Sequence, residues 1–189
     1  ALAAHGVHID DIDGDGDNDL IGASRDDGVI AWFENRGGNY AVGVEQATSA
    51  VNAAGWFGEL ARILVAHRGR SGDADIELNS LEFTFWDGAN TQLDDQTFRR
   101  LVKSVHVYRD TGDGLFNPSV DQQLVWLDQP GLTSERHLVV PMPVNVGVTP
   151  IAVGQTQQFF VAMEMTDICS TPSNTFQLSM ILSSRTARD

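Results

Sequence analysis

The chain has 189 residues, of which 42% are hydrophobic, and it carries a formal net charge of −14 at pH 7. This length suits one large domain or two small ones, and no apolar run is long enough to insert into a membrane. The acidic balance argues against nucleic-acid and anionic-lipid partners, which it would repel, and it favours divalent cations.

Residues 1–39 are predicted to form a compact β unit. The segments GVHIDDI, LIGAS and VIAWFEN have the apolar and β-branched composition of strands. A loop rich in aspartate joins the first two segments, and RDDG supplies a turn before the third. We therefore interpret this region as one strand–loop–strand–turn–strand domain.

Residues 40–59 interrupt the strand pattern. Their composition shifts to small, weakly charged residues that show little periodicity. We interpret this segment as a linker or an extended crossover, with a short helical turn near residues 51–54.

Residues 60–189 are predicted to form an antiparallel β-sandwich. Short apolar segments recur at the spacing of sandwich strands, and TPIAV and QQFFVAMEMT are two of them. The second of these sends alternate side chains to one face, namely Phe159, Val161, Met163 and Met165. The fold class predicted for the whole chain is all-β, with a blade-like calcium-loop unit followed by the sandwich.

Two local features of the sandwich region depart from plain strands. In ADIELNSLEFTFW the apolar alternation breaks between Leu78 and Leu81, which suggests a β-bulge. In LDDQTFRRLVKS the apolar spacing is helical, and Asp94 or Asp95 could cap the helix. The sequence therefore predicts one short helix.

The loop IDDIDGDGDNDL has the spacing of a calcium site. Its side chains Asp11, Asp13, Asp15 and Asp19 alternate along the chain, and Asp17 could contribute its backbone carbonyl. Calcium takes about six to eight oxygen ligands, which such a loop can supply. An EF-hand is excluded, because it needs a glutamate where this loop has a glycine, and flanking helices where this loop has strands. The alternatives are a solvated acidic turn without an ion, or magnesium, which prefers fewer carboxylates.

Residues 7–38 resemble a known type of repeat. The aspartate loop, the apolar strand after it and the ending WFENRGG are similar to FG-GAP/VCBS-type repeats. This resemblance implies a calcium-binding β-propeller blade or related unit of an extracellular protein. Its implied ligands are Asp11, Asp13, Asp15, Asp17 and Asp19. A lone blade cannot bury both faces, so it would dock on the sandwich, on other repeats or on another subunit.

A second acidic loop, VYRDTGDGLFNPSVDQQL, is a weaker candidate. Asp110, Asp113 and Asp121 could bind a second calcium ion, although an Asp/Gly hairpin needs no ion. The loop resembles shortened calcium loops of bacterial surface modules, and residues 60–182 resemble C-terminal β-sandwich modules of secreted bacterial proteins. In HRGRSGDADIEL, Asp73 and Asp75 are interpreted as turn and surface residues.

The sequence offers no recognisable catalytic motif. It lacks G-x-S-x-G, H-E-x-x-H and a phosphate loop, and its histidines show no metal-ligand spacing. The single cysteine, Cys169, excludes an intrachain disulfide and is expected to be buried. Trp32 and Trp126 could stack on sugars, but their strand positions favour core packing or subunit contact.

We therefore expect a non-catalytic, calcium-stabilised structural or adhesive module of a secreted or cell-surface protein. One alternative is a self-assembling subunit of an extracellular filament or oligomer, because a lone blade leaves unpaired strand edges. Another is a carbohydrate-binding or carbohydrate-acting domain, although no residue pattern names a glycan. The expected partners are calcium, other copies of the chain and other domains of a longer parent.

Overall fold

The computed structural model describes residues 4–14, 18–25, 28–35, 40–46, 54–87, 89–143, 150–167, 176–181 and 187–188. Within these residues the chain is all-β, with antiparallel sheets in a sandwich-like arrangement and one short helix, as predicted. No helix in this part of the chain has the length and apolar character needed to cross a bilayer.

The strands and the helix follow one another along the chain with these bounds: β1 (Ala4–Asp10), β2 (Asp19–Ser24), β3 (Ile30–Phe33), β4 (Tyr40–Gln46), β5 (Phe57–His67), β6 (Glu77–Leu78), β7 (Ser80–Asp87), α1 (Asp95–Leu101), β8 (Val102–Arg109), β9 (Gln122–Asp128), β10 (His137–Pro141), β11 (Thr156–Met165), β12 (Phe176–Ile181) and β13 (Ala187–Arg188).

The first three strands form an antiparallel sheet in the order β1–β2–β3. The aspartate loop joins β1 to β2, so the predicted strand–loop–strand–turn–strand order is confirmed. Strand register places Ile9 opposite Leu20, and Leu20 opposite Phe33. These three side chains therefore form one row across the sheet, and all are exposed.

The sandwich consists of a five-stranded sheet, in the order β4–β5–β11–β8–β9, and a three-stranded sheet, in the order β10–β7–β12. The main hydrophobic core contains buried side chains of both sheets, including Ile63, Phe83 and Phe159. The alternation predicted for β11 is confirmed, because Val161, Met163 and Met165 belong to this core as well. The intervening side chains of β11 point to the outer face of the sheet.

The helix α1 begins where the sequence predicts. Asp94 is the N-cap, and its side chain accepts a hydrogen bond from Thr97 N at 2.7 Å. Phe98 faces inward and is fully buried. Asp95 accepts from Arg99 Nε at 2.8 Å and from Leu132 N at 2.7 Å, which ties the helix to the loop before β10.

Three local predictions are corrected. The linker predicted for residues 40–59 is wrong at both ends, because Tyr40–Gln46 is β4 and β5 begins at Phe57. The break after Leu78 is a change of partner rather than a bulge, since β6 pairs with β13 while β7 pairs with β10 and β12. In the described part of TPIAV, residues 150–153, Ile151 forms an isolated bridge with Ile76 in place of the predicted strand. The helical turn predicted at residues 51–54 lies mostly outside the described residues.

Candidate functional site

Three carboxylates come together in the loop between β8 and β9. One oxygen from each of Asp110, Asp113 and Asp121 lies within 4.8 Å of the others, so the group could hold a metal ion. Asp121 is buried, Asp110 is half-buried and Asp113 is exposed. Among the described residues, this is the group of acidic side chains close enough to share one ion.

The loop is shaped by hydrogen bonds from its own backbone. Asp110 Oδ1 accepts from Gly112 N at 2.8 Å, and Asp113 Oδ1 accepts from Leu115 N at 2.9 Å. Gly112 has a φ of +117°, a backbone conformation that residues with a side chain rarely adopt. The glycine therefore lets the chain fold its amides back onto the aspartates.

Asp121 closes the loop from its far end. Its Oδ2 accepts from Asn117 N at 2.7 Å, and its Oδ1 accepts from Thr111 N at 3.2 Å. This one carboxylate thus binds backbone on both sides of the loop. These bonds show that the loop can be closed by hydrogen bonding, and they leave each carboxylate oxygen with further lone pairs for a cation.

The donor set fits a hard cation. Three carboxylates carry up to three negative charges, and backbone amides screen them less fully than a divalent ion would. An open depression of about 610 Å³ adjoins the loop and is lined by Arg109, Asp110, Gly112 and Gln157 among others. Arg109 Nε donates to Gln157 Oε1 at 2.9 Å. The depression gives solvent, and with it an ion, access to the Asp110 side.

The first aspartate loop has a different organisation. Asp19 is fully buried and accepts from Asn35 N at 2.8 Å and from Ile12 N at 3.3 Å. The bond from Asn35 N is the largest cause that lowers the pKa of Asp19, and a side-chain hydrogen bond with Trp32 acts in the same direction against the effect of burial. Asp19 therefore connects the loop to the residues that follow β3, because it accepts hydrogen bonds from both Ile12 N and Asn35 N.

The remaining candidates in this loop are not brought together in the same way. Asp13 Oδ1 accepts from Arg70 Nη2 at 3.1 Å, an ion pair with the sandwich. Asp15 and Asp17 lie outside the described residues, and within the described part of the loop Asp11 and Asp13 do not group with Asp19 around one point. The five-ligand set implied by the resemblance therefore stays a prediction.

The loop after β5 is held by structural hydrogen bonds. His67 is buried, and its Nδ1 accepts from Gly69 N at 3.0 Å. Its Nε2 therefore carries the proton and donates to Ala74 O at 2.8 Å. Asp73 accepts from Arg70 N at 2.6 Å, which agrees with its interpretation as a turn residue.

A serine, a histidine and a glutamate meet on the outer face of the five-stranded sheet. Ser104 Oγ donates to Glu164 Oε2 at 3.0 Å and lies 2.8 Å from His106 Nε2. His106 Nδ1 lies 3.1 Å from Gln123 Nε2, a donor, so the ring proton resides on Nε2 and is given to Ser104. The serine proton goes to the carboxylate and Ser104 is buried, which is the reverse of an activated nucleophile.

Sequence inspection missed this group and the exposure of two tryptophans. Ser104, His106 and Tyr108 are two residues apart on β8, so their shared face could have been predicted from strand alternation. Trp32 is 50% exposed and Trp126 is 64% exposed, so the prediction that they pack in the core is wrong for both. Cys169 lies outside the described residues.

A comparison of the chain with protein-family models gives no match, and a comparison with curated proteins gives none either. The similarity of residues 7–38 to FG-GAP/VCBS-type repeats therefore stays a resemblance in their sequence.

Proposed function

We propose that the chain is a non-catalytic β module that binds calcium and is stabilised by it. The observation that supports this best is the convergence of Asp110, Asp113 and Asp121 in one loop, with an oxygen of each within 4.8 Å of the others. Carboxylate oxygens are the ligands that calcium prefers in proteins, and water can complete its coordination shell at a solvent-accessible loop. Magnesium would need stricter octahedral geometry and more retained water.

The exposure of the loop supports an extracellular role. A site of three carboxylates, one of them exposed, lacks the enclosure of a high-affinity calcium buffer. Extracellular calcium modules bind with dissociation constants of about 10⁻⁴–10⁻³ M, weaker than the sites of intracellular buffers. A structural or adhesive module of a secreted or surface protein is the role consistent with such a site.

Calcium would connect the ends of two strands here. Asp110 directly follows β8 and Asp121 directly precedes β9. An ion shared by the two would hold the ends of the hairpin together and reduce repulsion between its carboxylates. The first aspartate loop is proposed as a second site, with Asp11, Asp13, Asp15, Asp17 and Asp19 as the ligands implied by the resemblance.

A melting experiment tests the proposal. With calcium about 100-fold above its dissociation constant, we expect a melting temperature roughly 5–10 °C higher than in chelator. Asp113→Asn removes a charge but keeps an oxygen for Leu115 N, and it should reduce this calcium-dependent gain. Asp128→Asn, an exposed aspartate at the end of β9, is the matched control. Equal melting temperatures with calcium and with chelator would contradict the proposal.

A second candidate function is self-association through the β1–β2–β3 sheet. Ile9 is 61% exposed, Leu20 39% and Phe33 58%, and strand register places them in one row. A row of this size is smaller than the roughly 800 Å² per partner of a stable complex, so the association would be weak. Phe33→Ser should lower the molecular mass measured by light scattering at high protein concentration, and an unchanged mass would exclude this surface.

A further inference from the structure

The outer face of the five-stranded sheet carries a cluster of rings that is separate from the main core. We call it the aromatic face, and it consists of Phe57, His106, Tyr108, Phe116, Trp126 and Phe160. Strand register brings the rings together, because His106 on β8 lies opposite Trp126 on β9, and Tyr108 lies opposite Phe160 on β11. Phe116 comes from the loop between β8 and β9.

The rings have an ordered geometry. The planes of His106 and Trp126 are 18° apart with centroids at 6.4 Å, and the planes of His106 and Tyr108 are 14° apart with centroids at 6.1 Å. Phe57 meets His106 edge-on, at 5.1 Å and 82°. Trp126, His106 and Tyr108 therefore form a row of nearly parallel, stacked rings, and Phe57 stands edge-on against His106. We call the part of this cluster formed by Trp126, His106 and Phe57 the platform.

Only part of the aromatic face is available to a ligand. Tyr108 and Phe160 are buried, and Phe116 covers them with centroid distances of 5.3 Å and 5.6 Å. In contrast, Trp126 is 64% exposed and Phe57 is 37% exposed. The accessible surface is therefore the indole of Trp126, with His106 between it and Phe57.

His106 is held in place by polar neighbours. Ser104 and Gln123 contact its two ring nitrogens at 2.8 Å and 3.1 Å. Because both nitrogens are engaged, the imidazole cannot turn freely. The imidazole beside Trp126 is thus fixed before any ligand arrives, so binding does not have to order that ring.

The charges around the platform are arranged in pairs. Arg62 Nε lies 2.9 Å from Glu59 Oε1, and Lys103 Nζ lies 2.7 Å from Glu164 Oε1. A second copy of the chain or a lipid surface would have to bury these ion pairs, which is costly. A polyanion would meet a chain with a net charge of −14. The platform therefore suits an uncharged ligand that has both an apolar face and hydrogen-bonding groups.

We propose that the aromatic face binds a neutral saccharide. A sugar ring has an apolar face of C–H groups that can pack on the indole of Trp126, while its hydroxyls can bond to the amide of Gln123 and the carboxylate of Glu164. Stacking gives affinity, and the polar side chains at the edge of the platform select the sugar. This role goes beyond calcium binding and uses a different set of residues.

Binding to a panel of neutral polysaccharides tests the proposal. The panel comprises cellulose, xylan, chitin, mannan, β-1,3-glucan and starch, with affinity electrophoresis for soluble forms and sedimentation for insoluble ones. We expect at least one to be bound, and Trp126→Ala to weaken that binding by about tenfold or more. Gln123→Ala should weaken it as well, whereas Trp86→Ala, on the opposite sheet, should retain it.

The controls separate the saccharide site from the calcium site. Asp113→Asn should lose calcium-dependent stabilisation and retain saccharide binding at a temperature where it is folded. The proposal is overturned if no member of the panel binds, or if Trp126→Ala and Trp86→Ala bind equally. It is also overturned if choline, a cation that aromatic rings attract, binds at Trp126 and the polysaccharides do not.

Discussion

Arg70 Nη2 lies 3.1 Å from Asp13 Oδ1 and 3.2 Å from the Asp13 carbonyl oxygen, so one guanidinium grips both the side chain and the backbone of that residue. The two residues are 57 positions apart in the sequence. Arg70 belongs to the loop after β5, and Asp13 belongs to the loop between β1 and β2. This contact therefore links the sandwich to the first aspartate loop.

The first prediction concerns competition at Asp13. A calcium ion in this loop would have to share Asp13 with Arg70, or displace it, so Arg70→Met should tighten calcium binding by the loop. Stability should change by less than about 1 kcal/mol, since a partly exposed ion pair contributes little. Titration calorimetry measures the affinity, and Arg68→Met is the control, because Arg68 is an exposed arginine of the same loop. An unchanged affinity in Arg70→Met would show that Asp13 does not bind the ion.

The second prediction concerns acid sensitivity at Asp19. Hydrogen bonds from Asn35 N, Trp32 and Ile12 N outweigh burial and hold the pKa of Asp19 below its ordinary value of 3.8. The stabilisation is therefore present above pH 3.8 and lost as the pH falls through the lowered pKa. The protection factor for hydrogen exchange at the Asn35 amide, which corrects for the intrinsic effect of pH on exchange, should therefore fall in this acidic window.

Asp19→Asn provides the matching variant. Its amide group places a donor where Asp19 accepts from backbone amides, so protection of the Asn35 amide should fall at neutral pH as well. If the Asn35 amide is protected equally in Asp19→Asn and in the parent chain, the side chain of Asp19 does not stabilise the loop.

The third prediction concerns the loop after β5. A Cβ at Gly69 would overlap Asp73 Oδ2 and lie 2.6 Å from His67 Cε1. Gly69→Ala should therefore disrupt the bonds of both side chains and lower the free energy of unfolding by about 1–3 kcal/mol. Urea denaturation measures this. Gly43→Ala is the control, because no atom lies within 4 Å of its added Cβ; equal losses in the two variants would contradict the prediction.

The fourth prediction concerns His106 and pH. Burial lowers the pKa of His106 below 6.5, and the negative charge of Glu164, itself bonded to Lys103, opposes this shift. Protonation is thus less favourable in the folded chain, so stability should fall as the pH drops below 6.5 and level off below the lowered pKa. Urea denaturation at about pH 7.5 and about pH 5.5 should show the loss.

Two variants test whether His106 causes this loss of stability at low pH. His106→Gln should reduce the difference in unfolding free energy between the two pH values, whereas His8→Gln, at an exposed position, should leave it unchanged. If both variants keep the full difference, the pH dependence originates elsewhere in the chain.

Local patterns were enough to predict much of the fold. The alternation of Phe159 to Met165 predicted the core face of β11, and the position of Asp94 predicted the helix cap. The spacing of Asp110, Asp113 and Asp121 likewise predicted which carboxylates meet. In each case the determining residues lie within about one turn, strand or loop of one another.

Long-range pairing could not be predicted in the same way. β4 contains Gly43 between Val42 and Val44, and it becomes a strand by pairing with β5, while Tyr40 and Val42 pack against the main core. The link from Arg70 to Asp13 depends on tertiary structure, as does the assembly of His106, Trp126 and Phe160 from three strands. No local periodicity encodes such contacts.

The central claim is that the loop from Asp110 to Asp121 binds calcium, and calcium titration calorimetry tests it most directly. The parent chain and Asp128→Asn should bind the ion with a dissociation constant of about 10⁻⁴–10⁻³ M at this site. Asp113→Asn should bind one ion fewer, or bind it at least about tenfold more weakly. The same stoichiometry and affinity in all three proteins would contradict the claim.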